Sequence, residues 1–165
     1  MPARCDVLVV GAGPAGSAAA ARLAAAGLDV VLVDAHAFPR DKVCGDALLP
    51  DAHRALERLG VLDQVMARAH PVSHVAVIAP LGGRLEVPAR IAVLPRRELD
   101  LLLVEAAVRA GARLFAPMRY GAPIEAPGPD GPRVGGAELQ ADGRSHHIEA
   151  RWTLLATGAA PQALQ

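Results

Sequence analysis

The sequence has few aromatic residues, almost no cysteine and no excess of charge of either sign. Its aromatic side chains are only Phe38, Phe115, Tyr120 and Trp152, which leaves little aromatic surface for nucleic-acid bases to stack on. The 17 basic residues balance the 17 acidic residues, so the formal net charge is zero. A basic face that would attract nucleic acid is therefore absent, and we expect no nucleic-acid partner.

Cysteine and long apolar runs are equally scarce. Cys5 and Cys44 cannot form a disulfide framework, and the first residues lead into an apolar segment without the plan of a signal peptide. Arg22, Asp29 and Asp34 interrupt the most apolar region, so no stretch reaches the ~20 residues of a membrane span. These features predict a cytoplasmic protein, and they leave attachment to a membrane surface open.

The sequence does have enough apolar residues for one core. Hydrophobic residues make up 52% of the 165 residues, a length that suits a single domain. A continuous apolar run at residues 5–10 predicts a buried strand, an alanine-rich segment at 14–26 predicts a helix ended by Gly27, and 28–33 predicts a second strand. This β-α-β unit predicts an α/β fold of the Rossmann type with a parallel sheet covered by helices.

The rest of the chain predicts further elements around this unit. Proline and glycine make residues 36–50 an ordered loop, and residues 123–136 a loose turn between two extended pieces. We expect helices at 52–59, 61–69 and 96–110, a small inserted antiparallel sheet from strands at 72–79, 84–87 and 91–94, and further strands at 112–116 and 152–156.

A glycine-rich turn lies between the first strand and the first helix. It reads Gly11, Ala12, Gly13, Pro14, Ala15, Gly16, the GxGxxG arrangement. The first glycine permits a tight turn, the second lets backbone approach a pyrophosphate, and the third lets helix and strand pack closely. Pro14 and Ala15 begin the helix, whose N-terminal N–H groups attract anions. The other interpretation is an ordinary turn, but its position between a strand and a helix favours a phosphate cradle.

An acidic residue follows at the spacing expected for a dinucleotide site. Asp34 ends the second strand, 18 residues beyond Gly16, near the ~20 residues expected of the acid that binds adenosine ribose hydroxyls. A carboxylate there would repel a 2′-phosphate. The sequence thus favours FAD or NAD over NADP.

Three blocks and one short segment resemble one family of flavoproteins. The blocks are residues 7–34, 39–46 (PRDKVCGD) and 94–102 (LPRRELDLL), and the segment is LLATGA at 154–159. They are similar to the geranylgeranyl reductase family, within the group of FAD-dependent aromatic hydroxylases and halogenases. The resemblance implies FAD as cofactor, NAD(P)H as a candidate electron donor and reduction of isoprenoid double bonds. The alternatives are a monooxygenase of aromatic or polyketide substrates and a nucleotide-binding unit without catalysis.

The resemblance also implies roles for the second block and the third. Arg40 and Lys42 would lie near phosphate or ribose, and Cys44 and Gly45 near the isoalloxazine ring. A free cysteine is as often a small buried hydrophobic residue, so both interpretations of Cys44 stay open. Arg97 matches the arginine that reaches the cofactor, in preference to Arg96, although an arginine at a helix start is often only solvated.

The family normally continues for at least as many residues again, with a second Gly-Asp segment near the flavin. No such segment occurs here, so we expect an incomplete N-terminal portion, in which residues 1–165 form the FAD-binding domain. We also expect low activity and association through apolar surface that further chain would cover. The sequence assigns no catalytic residue and no metal ligand.

Overall fold

The computed structural model describes residues 1–159, which form nine strands and four helices. In chain order these are β1 (Arg4–Val10), α1 (Pro14–Ala25), β2 (Val30–Val33), β3 (Ala47–Leu48), α2 (Pro50–Arg58), α3 (Leu62–Met66), β4 (His70–Ile78), β5 (Arg84–Val93), α4 (Arg96–Arg109), β6 (Arg113–Phe115), β7 (Arg119–Ala126), β8 (Arg133–Ala141) and β9 (Arg144–Leu155).

The main sheet has six strands in the order β6-β2-β1-β9-β8-β7. Strands β6, β2, β1 and β9 run parallel to one another. Strand β8 then pairs antiparallel with β9, and β7 pairs antiparallel with β8. The Rossmann-type fold expected from the first 34 residues is thereby confirmed. The carboxyl ends of β1 and β2 meet at one edge of the sheet, where ligands of such folds bind.

Valine and leucine dominate the central strands because both faces of the sheet are covered. On one face, Val7 and Val9 pack with residues of α1 and α4. On the other face, Leu8 and Val10 pack with buried residues of β8 and β9, which belong to the same sheet. The four residues of β2 are completely buried. This core fixes where the turn after β1 lies.

The small antiparallel sheet has the order β3-β5-β4, and its strands differ from the expected ones. Residues 91–94, expected as a separate strand, mostly continue β5, and the third strand is β3, inside the segment expected to be a loop. Pro88, which follows the expected strand 84–87, lies within β5 opposite His74, beside an irregularity in the pairing with β4. Leu48 and Ala92 pack with α2, α3 and α4 in a second core.

The loose turn expected at 123–136 is shorter than the sequence predicts. Most of this segment belongs to β7 and β8, and only residues 127–132 connect them. Pro123 fits because β7 is the last strand of the sheet, and an edge strand tolerates a residue without an N–H group.

One face of the β4–β5 ribbon is aliphatic and exposed. Val75 lies opposite Val87, and Val77 opposite Leu85. Their exposed fractions are 37%, 43%, 55% and 62% in that order. Within residues 1–159, no helix combines the length and the apolar character of a membrane span.

Candidate dinucleotide-binding site

The turn between β1 and α1 depends on two of its glycines for packing. Gly11 has φ +100°, and a Cβ there would overlap the carbonyl oxygen of Ala156. A Cβ on Gly16 would overlap the carbonyl oxygen of Gly11, so α1 can lie this close to the strand only without a side chain.

Gly13 is different, because the space above it is open. The nearest atoms to a Cβ built on Gly13 are the Nη2 atoms of Arg40 and Arg96, both at 3.7 Å. Gly13 caps α1 without a side-chain hydrogen bond, and Pro14 follows. The first N–H groups of a helix have no partner inside it, so those of Ala15 and Gly16 can serve a ligand.

Asp34 joins the end of β2 to this turn. Its Oδ2 accepts a hydrogen bond from the N–H of Ala12 at 2.8 Å, and its Oδ1 accepts one from the N–H of His36 at 3.0 Å. The residue is 7% exposed. Each oxygen keeps a further lone pair, so the carboxylate can also accept from a hydroxyl.

A second carboxylate, that of Asp100 on α4, holds the two arginines. Arg96 donates from Nε to Oδ1 at 2.6 Å and from Nη2 to Oδ2 at 2.9 Å, a bidentate pair. Arg40 places Nη1 3.3 Å from Oδ2 of Asp100 and Nη2 3.6 Å from Oδ2 of Asp34. Asp100 raises the pKa of Arg96 above its ordinary value through the hydrogen bonds between them.

Arg40 has one N–H group without a hydrogen-bond partner in the described part of the chain. Its guanidinium carbon lies 5.0 Å from the centre of the Phe38 ring. Its Nε is buried and has no hydrogen-bond partner among the described residues. A buried donor without a partner is costly, which makes this position suited to an anionic ligand or an ordered water.

The structure brings Arg96, rather than Arg97, to the glycine-rich turn. Arg97 is half exposed and contacts Asp41 at 3.3 Å, a surface pair. A contact of Arg97 with a cofactor therefore stays a prediction, and the geometry here favours Arg96. The spacing of Arg96 and Asp100, four residues apart on one helix, was the signal that could have identified the pair.

The loop 41–45 is exposed and begins beside these arginines. Lys42, Cys44 and Gly45 are all accessible, so the interpretation of Cys44 as a buried hydrophobic residue is wrong. Two hydrogen bonds lower the pKa of Cys44: the larger effect comes from the N–H of Asp46 and the smaller from the Arg96 guanidinium. Asp46 also accepts a hydrogen bond from the Arg96 N–H at 3.2 Å, which ties the loop to the start of α4.

A cavity of about 490 Å³ begins at Ala35, the residue after Asp34. Met118 and the turn between β8 and β9 line its other sides. The Met118 N–H donates a hydrogen bond to the carbonyl oxygen of Asp34 at 2.6 Å, and this bond holds the wall of the cavity next to Asp34. No local sequence pattern predicts this cavity, because its walls are far apart along the chain. Among residues 1–159, no group of three or more potential ligands is placed to hold a metal ion.

Comparison with known families identifies the family of the chain. The family model described as FAD binding domain matches residues 4–162. The chain belongs to this FAD-binding domain family. Its resemblance to the geranylgeranyl reductases is also confirmed, because digeranylgeranylglycerophospholipid reductase 2 of Methanopyrus kandleri is 38% identical over 156 residues, 93% of this chain and 37% of that protein.

One further relative and one solved structure are similar to this chain. Menaquinone reductase of Mycolicibacterium smegmatis is 46% identical over 122 residues, 70% of this chain and 29% of that protein. The structure of a flavin-dependent brominase superposes with a TM-score of 0.82 at 24% identity, covering 94% of this chain and 38% of the brominase, and this shows a shared fold. The chain thus spans about a third of the length of the curated relatives it matches.

Proposed function

We propose that this chain binds the ADP half of FAD, with the pyrophosphate over Gly13 and between Arg40 and Arg96. The observation that carries the proposal is the pair of guanidinium groups, each 3.7 Å from the position of a Gly13 Cβ. The first turn of α1 adds N–H groups and the positive end of its dipole at the same place. A diphosphate is the cofactor group that this combination suits.

The remaining contacts also fit an FAD dinucleotide. Asp34 would accept from the adenosine ribose hydroxyls, while its negative charge disfavours a 2′-phosphate. The cavity at Ala35 would take the adenine, since it adjoins the ribose acid. The unpartnered Nε of Arg40 supports the presence of an anion, because a ligand oxygen or a bridging water would satisfy it.

The flavin half would extend toward the loop that follows Arg40. Bound FAD would supply the redox chemistry, and the chain's own groups would bind and orient it. Cys44 and Gly45 are exposed on this loop, and we propose that they lie beside the isoalloxazine ring, where Gly45 offers no side chain to obstruct a flat group. Lys42 would contribute charge to the phosphate or ribose.

For the complete activity we propose a reductase of isoprenoid double bonds that receives electrons from NAD(P)H. Two relatives are named for menaquinone and for digeranylgeranylglycerophospholipid, and both of these molecules carry isoprenoid chains. We assign residues 1–165 to one FAD-binding domain of such an enzyme, acting in the cytoplasm. Because the chain spans about a third of these relatives, we expect its own turnover to be slow.

The activity can be tested under single-turnover conditions, which reveal slow chemistry. The chain is incubated anaerobically with excess chemically reduced FAD and a geranylgeranyl lipid, and the products are analysed by mass spectrometry. We expect a product with two added hydrogens per saturated double bond. Oxygen insertion into an aromatic substrate in air would indicate the monooxygenase instead. FAD binding with neither product would indicate a nucleotide-binding unit without catalysis.

A further inference from the structure

The Asp100 carboxylate is completely buried, yet it lies on the helix that borders the glycine-rich turn. Its surroundings on α4 are apolar, with Leu99, Leu102 and Leu103 all buried. Burial of a carboxylate is expensive unless hydrogen bonds compensate for the lost water. Among the described residues, Asp100 is compensated by two hydrogen bonds from Arg96 and by the ion pair with Arg40, which ties its stability to theirs.

The geometry of these contacts fixes two groups that would otherwise separate. The two parallel bonds from Arg96 set the plane of its guanidinium group, because such a pair forms in one relative orientation. The 3.3 Å approach of Arg40 Nη1 then draws the loop arginine to the same carboxylate. Two guanidinium groups near one point repel each other, and Asp100 between them reduces that repulsion.

We propose that Asp100 is a positioning residue for diphosphate binding, which acts by holding the Nη2 atoms of Arg40 and Arg96 over Gly13. The inference rests on the proposed function and adds a residue that contacts no ligand itself. Asp100 and Asp34 balance the charge of the two guanidinium groups, and the Nη2 atoms keep N–H donors close to the open space above Gly13. Preorganised donors also spare the ligand the cost of ordering two long side chains.

A purely structural ion pair between α4 and the loop would have a different consequence. It would stabilise the fold without changing how ADP binds once the protein is folded. The two roles separate in a double-mutant cycle, since residues that act through one another have effects that do not add.

The test measures ADP affinity by calorimetry for the 165-residue chain and for Asp100→Asn, Arg96→Gln and the double variant. Glu105→Gln is the matched control, because Glu105 is an exposed acid on the same helix. We expect Asp100→Asn to weaken ADP binding by about tenfold to hundredfold, the range for a lost charge-assisted contact. The double variant should bind ADP about as weakly as Arg96→Gln alone, and Glu105→Gln should bind it normally.

Asp100→Asn keeps the shape of the side chain, and thermal unfolding reports whether it folds. If it does not fold, Arg96→Lys gives the decision, because lysine keeps the charge of the pair but cannot form two parallel bonds. We expect Arg96→Lys to lose ADP affinity as well.

Unchanged ADP affinity in folded Asp100→Asn, additive losses in the double variant, or normal ADP binding by Arg96→Lys would each overturn the positioning role while the FAD proposal stands. Absence of ADP binding by the folded unsubstituted chain would overturn both.

Discussion

Gly13 and Gly16 belong to one motif, but the structure separates their tasks. Gly16 and Gly11 are needed by the protein itself, because a side chain at either would overlap backbone. Apart from its chain neighbours, the nearest atoms to a Cβ on Gly13 lie 3.7 Å away, so packing among the described residues does not require a glycine there. A sequence motif alone does not distinguish these two reasons for glycine.

Replacing Gly13 therefore tests the ligand without disturbing the fold. We expect Gly13→Asp to abolish ADP binding, because a carboxylate there would fill the space for the pyrophosphate and repel it. Circular dichroism and the melting temperature should match those of the unsubstituted chain. Undiminished ADP affinity in the folded variant would remove the glycine-rich turn from the site.

Cys44 gives a second residue-scale prediction. The N–H of Asp46 and the guanidinium of Arg96 lower its pKa, whereas burial raises the pKa of Cys5 to about 11. A lowered pKa means more thiolate at neutral pH, so Cys44 should be alkylated by iodoacetamide well before Cys5. Mass spectrometry of peptides over a range of pH measures both rates, and Arg96→Gln should move the Cys44 profile to higher pH.

The same measurement examines the proposed place of the flavin. FAD should slow alkylation of Cys44, and ADP, which lacks the flavin, should not. Equal protection by both ligands, or by neither, would separate Cys44 from the isoalloxazine ring.

At the scale of elements, the close packing of α1 on β1 depends on Gly16. We expect Gly16→Ala to destabilise the protein by about 1–3 kcal/mol, the usual cost of forcing an atom into a packed interior. Chemical denaturation of the free protein measures this, with Gly13→Ala as the control in the same turn. Equal stability of the two variants would contradict the described helix-strand contact.

The elements also show what the sequence could predict and what it could not. Helix α4 was expected at 96–110 and occurs at Arg96–Arg109, because a strong apolar period and flanking Pro95 and Gly111 define it locally. Strand β3 was not expected, since its two residues are strand only through pairing with Val93 and Ala92 of β5. Strand β8 was hidden by Gly135, Gly136 and nearby prolines, and it is held as a strand by pairing with β7 on one side and β9 on the other.

The candidate site divides in the same way. The glycine-rich turn and Asp34 are a local pattern, so the sequence could predict both as candidates, and the structure brings them together. Asp100 was missed because a single aspartate on an amphipathic helix is usually solvated, and its burial depends on Arg40, 60 positions away in the chain. The spacing of Arg96 and Asp100 is a local signal for that pair, but the approach of Arg96 to Gly13 is a tertiary contact that no local pattern contains.

At the scale of the whole molecule, the aliphatic face of the β4–β5 ribbon is a contiguous apolar surface that is exposed in the described part of the chain. We expect the isolated chain to associate through it, since contiguous exposed apolar surface favours contact. Leu85→Glu, on this face, should lower the apparent mass in sedimentation. Ile78→Glu, opposite Arg84 on the other face, is the control and should leave the mass unchanged. Equal masses for all three proteins would contradict this expectation.

Calorimetric titration with ADP and with FAD measures whether this chain binds the ADP half of FAD. Because the paired arginines and Asp34 would face groups common to both ligands, we expect both to bind, with FAD only weakly favoured. Asp34→Ala should weaken both by about tenfold to hundredfold, equivalent to ~1.5–3 kcal/mol for a buried charge-assisted hydrogen bond. Asp29→Ala, an exposed acid at the start of β2, should change neither affinity. A folded chain that binds no ADP, or an Asp34→Ala variant that loses affinity for neither ligand or for FAD alone, would contradict the account.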